Sequence, residues 1–469
     1  MKAALTKTAS LFRLFKEALA GSEQDFTSGN INKAIFLLAI PMIVEMGMES
    51  IFAIVDIFFV SSLNNSNAVA AVGYTESVLS ILYSLAMGLG MGATAIVARR
   101  VGEHDKEGAS IAAMQAIYLG LAIAFTISMV GIFYYKEILQ LMGASNDVIT
   151  SSSSYAFWMF AGNYTVTLLF LINAIFRGAG NAAIAMKALL LANVLNMILD
   201  PIFIFGWGPV PAMGVEGAAI ATNIGRGIGV LFQLYFLLSG RSIIKIRWHN
   251  LALKSTIIFN VIKVSGGSIL QFIIGSASWI FLMKLMSSFG DNAVAGYTIA
   301  IRVFIFTLLP SWGLANAGAT LVGQNLGAKQ PARAETSVWR AANFNAVLMA
   351  IIMILFLTSS PWIISVFTQQ TEVVYYGVQA LRYVSLGYIF YGYGMVVTQG
   401  LNGAGDTYTP TIINVFGFWV FQIPFAYFIA IQLNWGPKGV FIAIALAETL
   451  MAMAGIIIFR RGKWKSVKI

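Results

Sequence analysis

Asn196 and Asp200 stand four residues apart in KALLLANVLNMILDPIFIFGWG, the run from Lys187 to Gly208, one of the most apolar stretches of the chain. On a helix that spacing puts the amide and the carboxylate on one face. Asn193 lies one further turn back. Pro201 follows Asp200, interrupting the helix behind it. It has no N–H, so the carbonyl of Met197 loses its in-helix donor. A carboxylate, an amide and a loose carbonyl within one turn are hard oxygen groups. They suit Na⁺, or a carboxylate that takes up H⁺. The bland alternatives are that Asp200 and Pro201 mark a helix end at the interface, and that Asn196 only makes an interhelical hydrogen bond.

Other ionisable residues fall inside apolar segments, where each costs several kcal/mol and is a functional candidate by default. In the first half these are Glu45, Glu49, Asp56, Glu76 and Asp200. Glu45, Glu49 and Asp56 are spaced i, i+4 and i+11, so they share a helical stripe. At 1.5 Å per residue, Asp56 lies roughly 8 Å, Asp200 roughly 9 Å, Glu76 roughly 6 Å and Thr222 roughly 8 Å inside the outer ends of their spans. Three carboxylates and a hydroxyl are expected to meet at one level. Against this, Glu76 could cap its helix, and Glu45 and Glu49 could line a wet cavity without binding anything. In the second half the equivalent level carries Lys284, Arg302 and Arg382, and Glu448 is the one acid placed within a span. Arg302 and Arg382 either pair with the acids of the first half when an outer gate closes, or are balanced within their own half.

These groups need a membrane around them. Of 469 residues, 58% are apolar and only 10% charged, and mean hydropathy is +0.80. Apolar windows of 18 or more residues recur along the whole length, which indicates a polytopic helical membrane protein. There is no cysteine, so neither disulfides nor thiolate metal ligation is available, and the two histidines, His104 and His249, lie in polar loops. No nucleophile or zinc-protease motif is present, so no enzyme is expected. The stretch LFRLFKEAL near the N-terminus is mildly amphipathic, either a surface helix or a solvated tail.

Twelve spans are expected near 34–61, 72–98, 111–134, 153–176, 186–206, 217–238, 258–287, 296–322, 337–358, 375–400, 409–431 and 438–459. They divide the chain into an N-terminal segment (1–33), a six-helix lobe (34–238), a basic connector (239–257), a second six-helix lobe (258–459) and a basic tail (460–469). With the N-terminus in the cytoplasm, 23 of the 29 Lys and Arg fall on the inner side and only Lys136 and Lys438 on the outer. That is the positive-inside pattern. It accounts for the net charge of +10 without any nucleic acid and puts both termini in the cytoplasm of a cell whose plasma membrane the chain spans. The remaining four cations, Arg226, Lys284, Arg302 and Arg382, lie within spans.

The chain also resembles itself at an offset of about 225 residues. NAVAAVGYTESV (67–78) matches NAVAGYTIAIRV (292–303), and GATAIVARRVG (92–102) matches GATLVGQNLG (318–327). FRGAGN (176–181) matches LNGAGD (401–406), and GVEGAAIAT (214–222) matches GPKGVFIAI (436–444). Six spans is an even number, so both halves enter from the same side. They are expected to be related by a pseudo-two-fold axis along the membrane normal, with a cavity between them.

IPMIVEMGMESIFAIVDIFFV (40–60), GATAIVARRVG, FRGAGN, NMILDPIFIFGWG and GVEGAAIAT resemble the multidrug and toxic compound extrusion (MATE) family of cation-coupled antiporters over nearly the whole chain. The resemblance implies a twelve-helix, two-lobe exporter of organic, cationic or amphipathic compounds. It works as a monomer by alternating access in exchange for H⁺ or Na⁺, with no other cofactor. The family's N-lobe cation site would fall on Asp56, Asn196, Asp200 and Thr222, with Na⁺ at the first three as one option. The NorM-like branch has a second site built from acids in spans seven and ten. Here Gln271 stands where the first is expected and span ten has none, so the chain looks closer to the DinF-like branch. A lipid or lipid-linked precursor flippase of similar architecture is the alternative, and it would need a markedly cationic cavity.

Overall fold

The computed structural model describes residues 13–21, 25–63 and 65–469. Apart from one isolated bridge between Trp207 and Val210, the regular structure among these is helical. The first half comprises α1 (Ile31–Ser61), α2 (Ser66–Gly102), α3 (Lys106–Leu141), α4 (Asn146–Ala161), α5 (Asn163–Gly178), α6 (Ala182–Phe205) and α7 (Val215–Leu238). The second comprises α8 (Ser255–Ser287), α9 (Asp291–Gly327), α10 (Pro331–Ser365), α11 (Thr371–Ser385), α12 (Tyr388–Gly403), α13 (Tyr408–Gln432) and α14 (Pro437–Arg460). Ten of these are long and apolar enough to cross a membrane, and α4 with α5 makes an eleventh span bent by 41°. The twelfth is the corresponding pair in the second half, α11 with α12, which six tyrosines make more polar.

Three sequence expectations need correcting. The spans expected at 153–176 and 375–400 are not continuous: each is broken, at Gly162 and at Leu386–Gly387, 225 residues apart. The breaks have a common packing cause. Gly162 lies under the side chain of Asn223 in α7, and a Cβ on Gly387 would sit 2.9 Å from the carbonyl of Ala445 in α14. In both halves the last helix presses on the kink of the fourth span. Second, Pro201 does not interrupt α6, which runs a further turn to Phe205. Third, α2 starts six residues earlier than expected. Asn65 caps it, with its side chain accepting from the N–H groups of Asn67 and Ala68. Glu76 is therefore the eleventh residue of the helix, roughly 15 Å from its start at 1.5 Å per residue, and not a cap.

The first helix of each half packs against the other half. Gly88 and Gly92 of α2 lie on α8, where a Cβ would stand 2.6 Å from Ile269 Cα and 2.9 Å from Ser265 N. Close backbone approach of this kind, which small residues permit, joins helices in a bilayer. It also explains the glycines of the run GLGMGA (88–93), two of which are Gly88 and Gly92. On the other flank α1 meets α9, with Ile43 against Gly313.

The hydrogen bonds that join the halves lie on the side carrying the connector and the tail, here called the basic side. Arg99 Nη2 donates to the carbonyls of Ala404 (3.1 Å) and Val467 (3.3 Å). Thr320 Oγ1 donates to the Arg177 carbonyl (3.1 Å), and Gln324 Nε2 to that of Gly178 (3.0 Å). The tail is anchored by Trp464, buried and stacked on Phe459 with ring centres 4.5 Å apart. The connector straps across α3, accepting from Gln115 Nε2 and Tyr118 Oη at the carbonyls of Ala252 and Leu251. Residues 13–20 are helical and held to the protein. Glu17 pairs with Lys33 at 2.8 Å, and Lys187 donates to the Ala20 carbonyl. The first part of LFRLFKEAL, residues 11–12, lies outside the described residues. Toward the opposite side, no hydrogen bond among the described residues crosses between the halves. The lobes are clasped at the basic end, where residues 313–326 of α9 are almost wholly buried, and toward the other end the same helix exposes Arg302, Ile305 and Phe306.

Candidate functional site

Gly225 of α7 places its backbone against α6, where a Cβ would stand 2.6 Å from the Ala192 carbonyl. That close approach brings Thr222 onto the face of α6 bearing Asn196 and Asp200. All three are buried. Asn196 Nδ2 donates to Asp200 Oδ1 and to Thr222 Oγ1, both at 3.1 Å. Asp56 of α1 faces this group, within electrostatic range of Asp200. Three buried oxygens here receive no hydrogen bond: Asp56 Oδ1, Asn196 Oδ1 and Asp200 Oδ2. All three are acceptors, so the cluster is short of donors or of a cation. Four of the residues singled out in the sequence are thus brought together.

Glu49 and Glu76 belong to a neighbouring network whose centre is Arg226. The Arg226 guanidinium lies 3.7 Å from Glu49 and 5.1 Å from the centre of the Phe52 ring, within electrostatic range of Tyr83 and Glu76. Glu49 also accepts from Asn193 at 3.5 Å, and Glu76 accepts from Tyr155 at 3.4 Å. Glu76 stays in electrostatic range of Asp56. The charge that makes these acids tolerable is the buried arginine one helix away, which the sequence marked as out of place without giving it a partner.

A central cavity straddles the pseudo-two-fold axis. Its lining comes in pairs related by the repeat: Met46 with Phe272, Ala86 with Trp312, Gly90 with Asn316, Thr94 with Thr320, and Arg177 with Asn402. Behind the last pair stands another. Glu45, fully buried, bonds Arg177 at 2.8 Å and Asn173 at 2.9 Å, while its counterpart Gln271 bonds Asn402 at 2.9 Å. The same architecture is ionic in one lobe and neutral in the other. Arg177 is the one charged residue of the lining, and Glu45 balances it. The sequence counted Arg177 with the loop cations; aligning the repeats sets it opposite Asn402, and that was the signal for its place.

The cations of the second half do not enter either cluster. Lys284, Arg302 and Arg382 are exposed, Arg382 Nε donates to Ser360 at 3.0 Å, and none pairs with an acid of the first half while the lobes stand apart. Among the described residues no three His, Asp or Glu side chains gather as a metal site, so the Asp56–Asp200 cluster is a two-carboxylate site completed by amide and hydroxyl oxygens.

Two pseudo-symmetric six-span lobes around a central cavity, with buried acids in one of them, define a two-lobe helical membrane transporter. The chain belongs to the MatE family, a family of transporters and not of enzymes: the family model matches residues 41–202 and again 267–428, once per lobe. It is similar to the probable multidrug resistance protein YpnP of Bacillus subtilis (strain 168), 25% identical over 95% of this chain and 98% of that one. It is likewise similar to the multidrug export protein MepA of Staphylococcus saprophyticus subsp. saprophyticus, 25% identical over 92% of this chain and 94% of that one. Among solved structures it is similar to a multidrug resistance MATE family transporter of the MOP superfamily in an outward-facing conformation. There the TM-score is 0.88 and identity 28%, with 95% of this chain and 99% of that chain covered.

Proposed function

We propose that the protein is a multidrug antiporter of the plasma membrane, acting as a monomer, that exports organic amphipathic compounds, cations among them, in exchange for H⁺ or Na⁺. The observation that carries this is the trio of donor-less oxygens on Asp56, Asn196 and Asp200. A buried acceptor without a partner costs about 1–3 kcal/mol; a proton turns one carboxyl oxygen here into a donor, and Na⁺ is a cation that oxygens of this kind can ligate. The multidrug export names of the relatives supply the direction and the class of cargo.

The basic side faces the cytoplasm by the positive-inside rule, so the lobes separate toward the exterior. In that state the coupling ion enters from outside, and Asp56 and Asp200 lose their mutual repulsion. Asn196 holds the Asp200 carboxylate and the Thr222 hydroxyl in place, so neutralisation is felt in α6 and α7 together. The helices then repack, the cargo leaves outward, and the clasp of the basic side opens. Each charge moving inward down 100 mV contributes about 2.3 kcal/mol, enough for one or two ions per cycle to sustain a large cargo gradient. A flippase that holds phosphates would need net positive charge in its cavity, and the single lining cation is neutralised by Glu45.

Inverted vesicles test the reading. With ΔpH and ΔNa⁺ imposed separately, export of a fluorescent organic cation follows one of the gradients in wild type and is lost in Asp200→Asn. Export by Asp200→Asn equal to wild type removes the assignment.

A further inference from the structure

We propose that Glu448 is a second proton-accepting site, lodged in the C-terminal lobe at the place where the N-terminal lobe carries Arg226. The match of GVEGAAIAT to GPKGVFIAI, offset by 222 residues, continues without a gap to set position 448 against position 226. Glu448 is the twelfth of the 24 residues of α14, so it lies about 17 Å from either end at 1.5 Å per residue. That is the middle of the bilayer, where a bare charge costs several kcal/mol or more.

Arg226 meets that cost with Glu49, 3.7 Å away. Glu448 has nothing comparable. Among the described residues its carboxylate makes no hydrogen bond or ion pair, and no charged side chain of any helix packed against α14 acts on it. From α12, two tyrosines do face it: Tyr388 and Tyr391 lie within its electrostatic range. The contacts of α14 with α12 confirm the direction. Gly387 rests on Ala445 and Gly394 on Ala452, so the strip through 445, 448 and 452 is turned to α12. Tyr388 is 3% exposed and its hydroxyl has no partner. The neighbouring Thr307 hydroxyl already donates to the Val303 carbonyl at 3.0 Å. A carboxylate with no ion-pair partner, beside phenols that carry no charge, is neutral in the middle of a membrane only with one more positive charge.

A proton fits and Na⁺ does not. Stripping Na⁺ of water requires several oxygen ligands, as at Asp56 and Asp200, whereas here one carboxylate faces two phenols. A protonated Glu448 is neutral and can bond Tyr388. The break between α11 and α12 bears on α14 at Ala445, one turn from Glu448, so a change of bend there admits water to the carboxyl group and lets it exchange. This rests on the antiport reading above and adds to it: a proton at Glu448 would travel in addition to the ion at Asp56 and Asp200.

The test uses the purified chain in proteoliposomes with the membrane potential clamped at zero. The cargo gradient reached at a fixed ΔpH is compared for wild type, Glu448→Gln, Glu448→Asp and Asp200→Asn. Glu448→Gln is expected to export with one proton fewer, reaching a cargo gradient about tenfold smaller per pH unit imposed. Glu448→Asp should keep the wild-type ratio. Infrared difference spectra of the same proteins should show a protonated-carboxyl band that disappears in Glu448→Gln, shifts in Glu448→Asp and survives in Asp200→Asn. An unchanged gradient in Glu448→Gln, or a spectrum without a Glu448 band, overturns the proposal, as does loss of Na⁺ binding with proton coupling intact. If instead Asp200→Asn exports like wild type while the Glu448 band is present, the N-lobe reading falls and this one stands.

Discussion

Arg177 touches Glu45 at 2.8 Å, with the carboxylate wholly buried and the guanidinium looking into the central cavity. Removing either partner strands a charge and is expected to cost about 3–5 kcal/mol. The other lobe shows how the same place is filled without charge, by Gln271 and Asn402. Glu45→Gln combined with Arg177→Asn should therefore recover most of the stability that either Glu45→Ala or Arg177→Ala loses. Thermal unfolding of the detergent-purified proteins reads this directly. A double variant no more stable than the worse single one would show that the pair is not an isolated unit.

Asn196 serves two acceptors with one amide group, and no other bonded donor reaches Asp200 Oδ1 among the described residues. Asn196→Ala leaves both short, a loss of about 1–3 kcal/mol felt where the coupling ion binds. If the ion is Na⁺, the concentration giving half-maximal export should rise by roughly one to two orders of magnitude; if it is H⁺, that concentration should fall, because an amide donor favours the charged carboxylate over the protonated one. Thr222→Val, which removes only the second acceptor, should shift it far less.

The chain has no cysteine, so an engineered pair reports without background. Arg99 of the first half reaches the Val467 carbonyl of the second at 3.3 Å on the basic side. Arg99→Cys with Val467→Cys should be bridged by a short bis-methanethiosulfonate and stop transport by holding that side shut, and reductant should restore it. Transport that continues through a complete cross-link would mean the clasp need not open.

Trp312 and Phe272 wall the cavity opposite Ala86 and Met46. Trp312→Ala and Phe272→Ala should alter which compounds are exported more than how much protein reaches the membrane. Efflux measured for a panel of dyes differing in ring size would show the reordering.

The twelve spans, the repeat and the grouping of Asn196 with Asp200 could be read in the sequence because each rests on a local signal. Apolar length gives a span, and i, i+4 spacing puts Asn196 and Asp200 on one face. What could not be read depends on which helix lies against which. The break at Gly162 is imposed by Asn223, 61 positions away, and nothing in the apolar run around it announces a kink. Glu76 looked like a cap because α2 was started too late: the helix begins at Ser66, capped by Asn65, and its first turn opens with two polar residues that carry no apolar signal. Arg226 and Arg177 were visible as charges but not as partners. Pro201 broke no helix because only one turn follows it, and losing a single donor there is a local matter.

The account turns on one exchange, cargo for a small cation at Asp56 and Asp200. The most direct measurement is the release of that cation by the purified protein when cargo is added, followed with a pH indicator and with ²²Na⁺ in separate runs. Wild type should release H⁺ or Na⁺ in proportion to the cargo bound, and the Asp56→Asn, Asp200→Asn protein should bind cargo with that release lost or sharply reduced. Release of the same size from the double variant would contradict it.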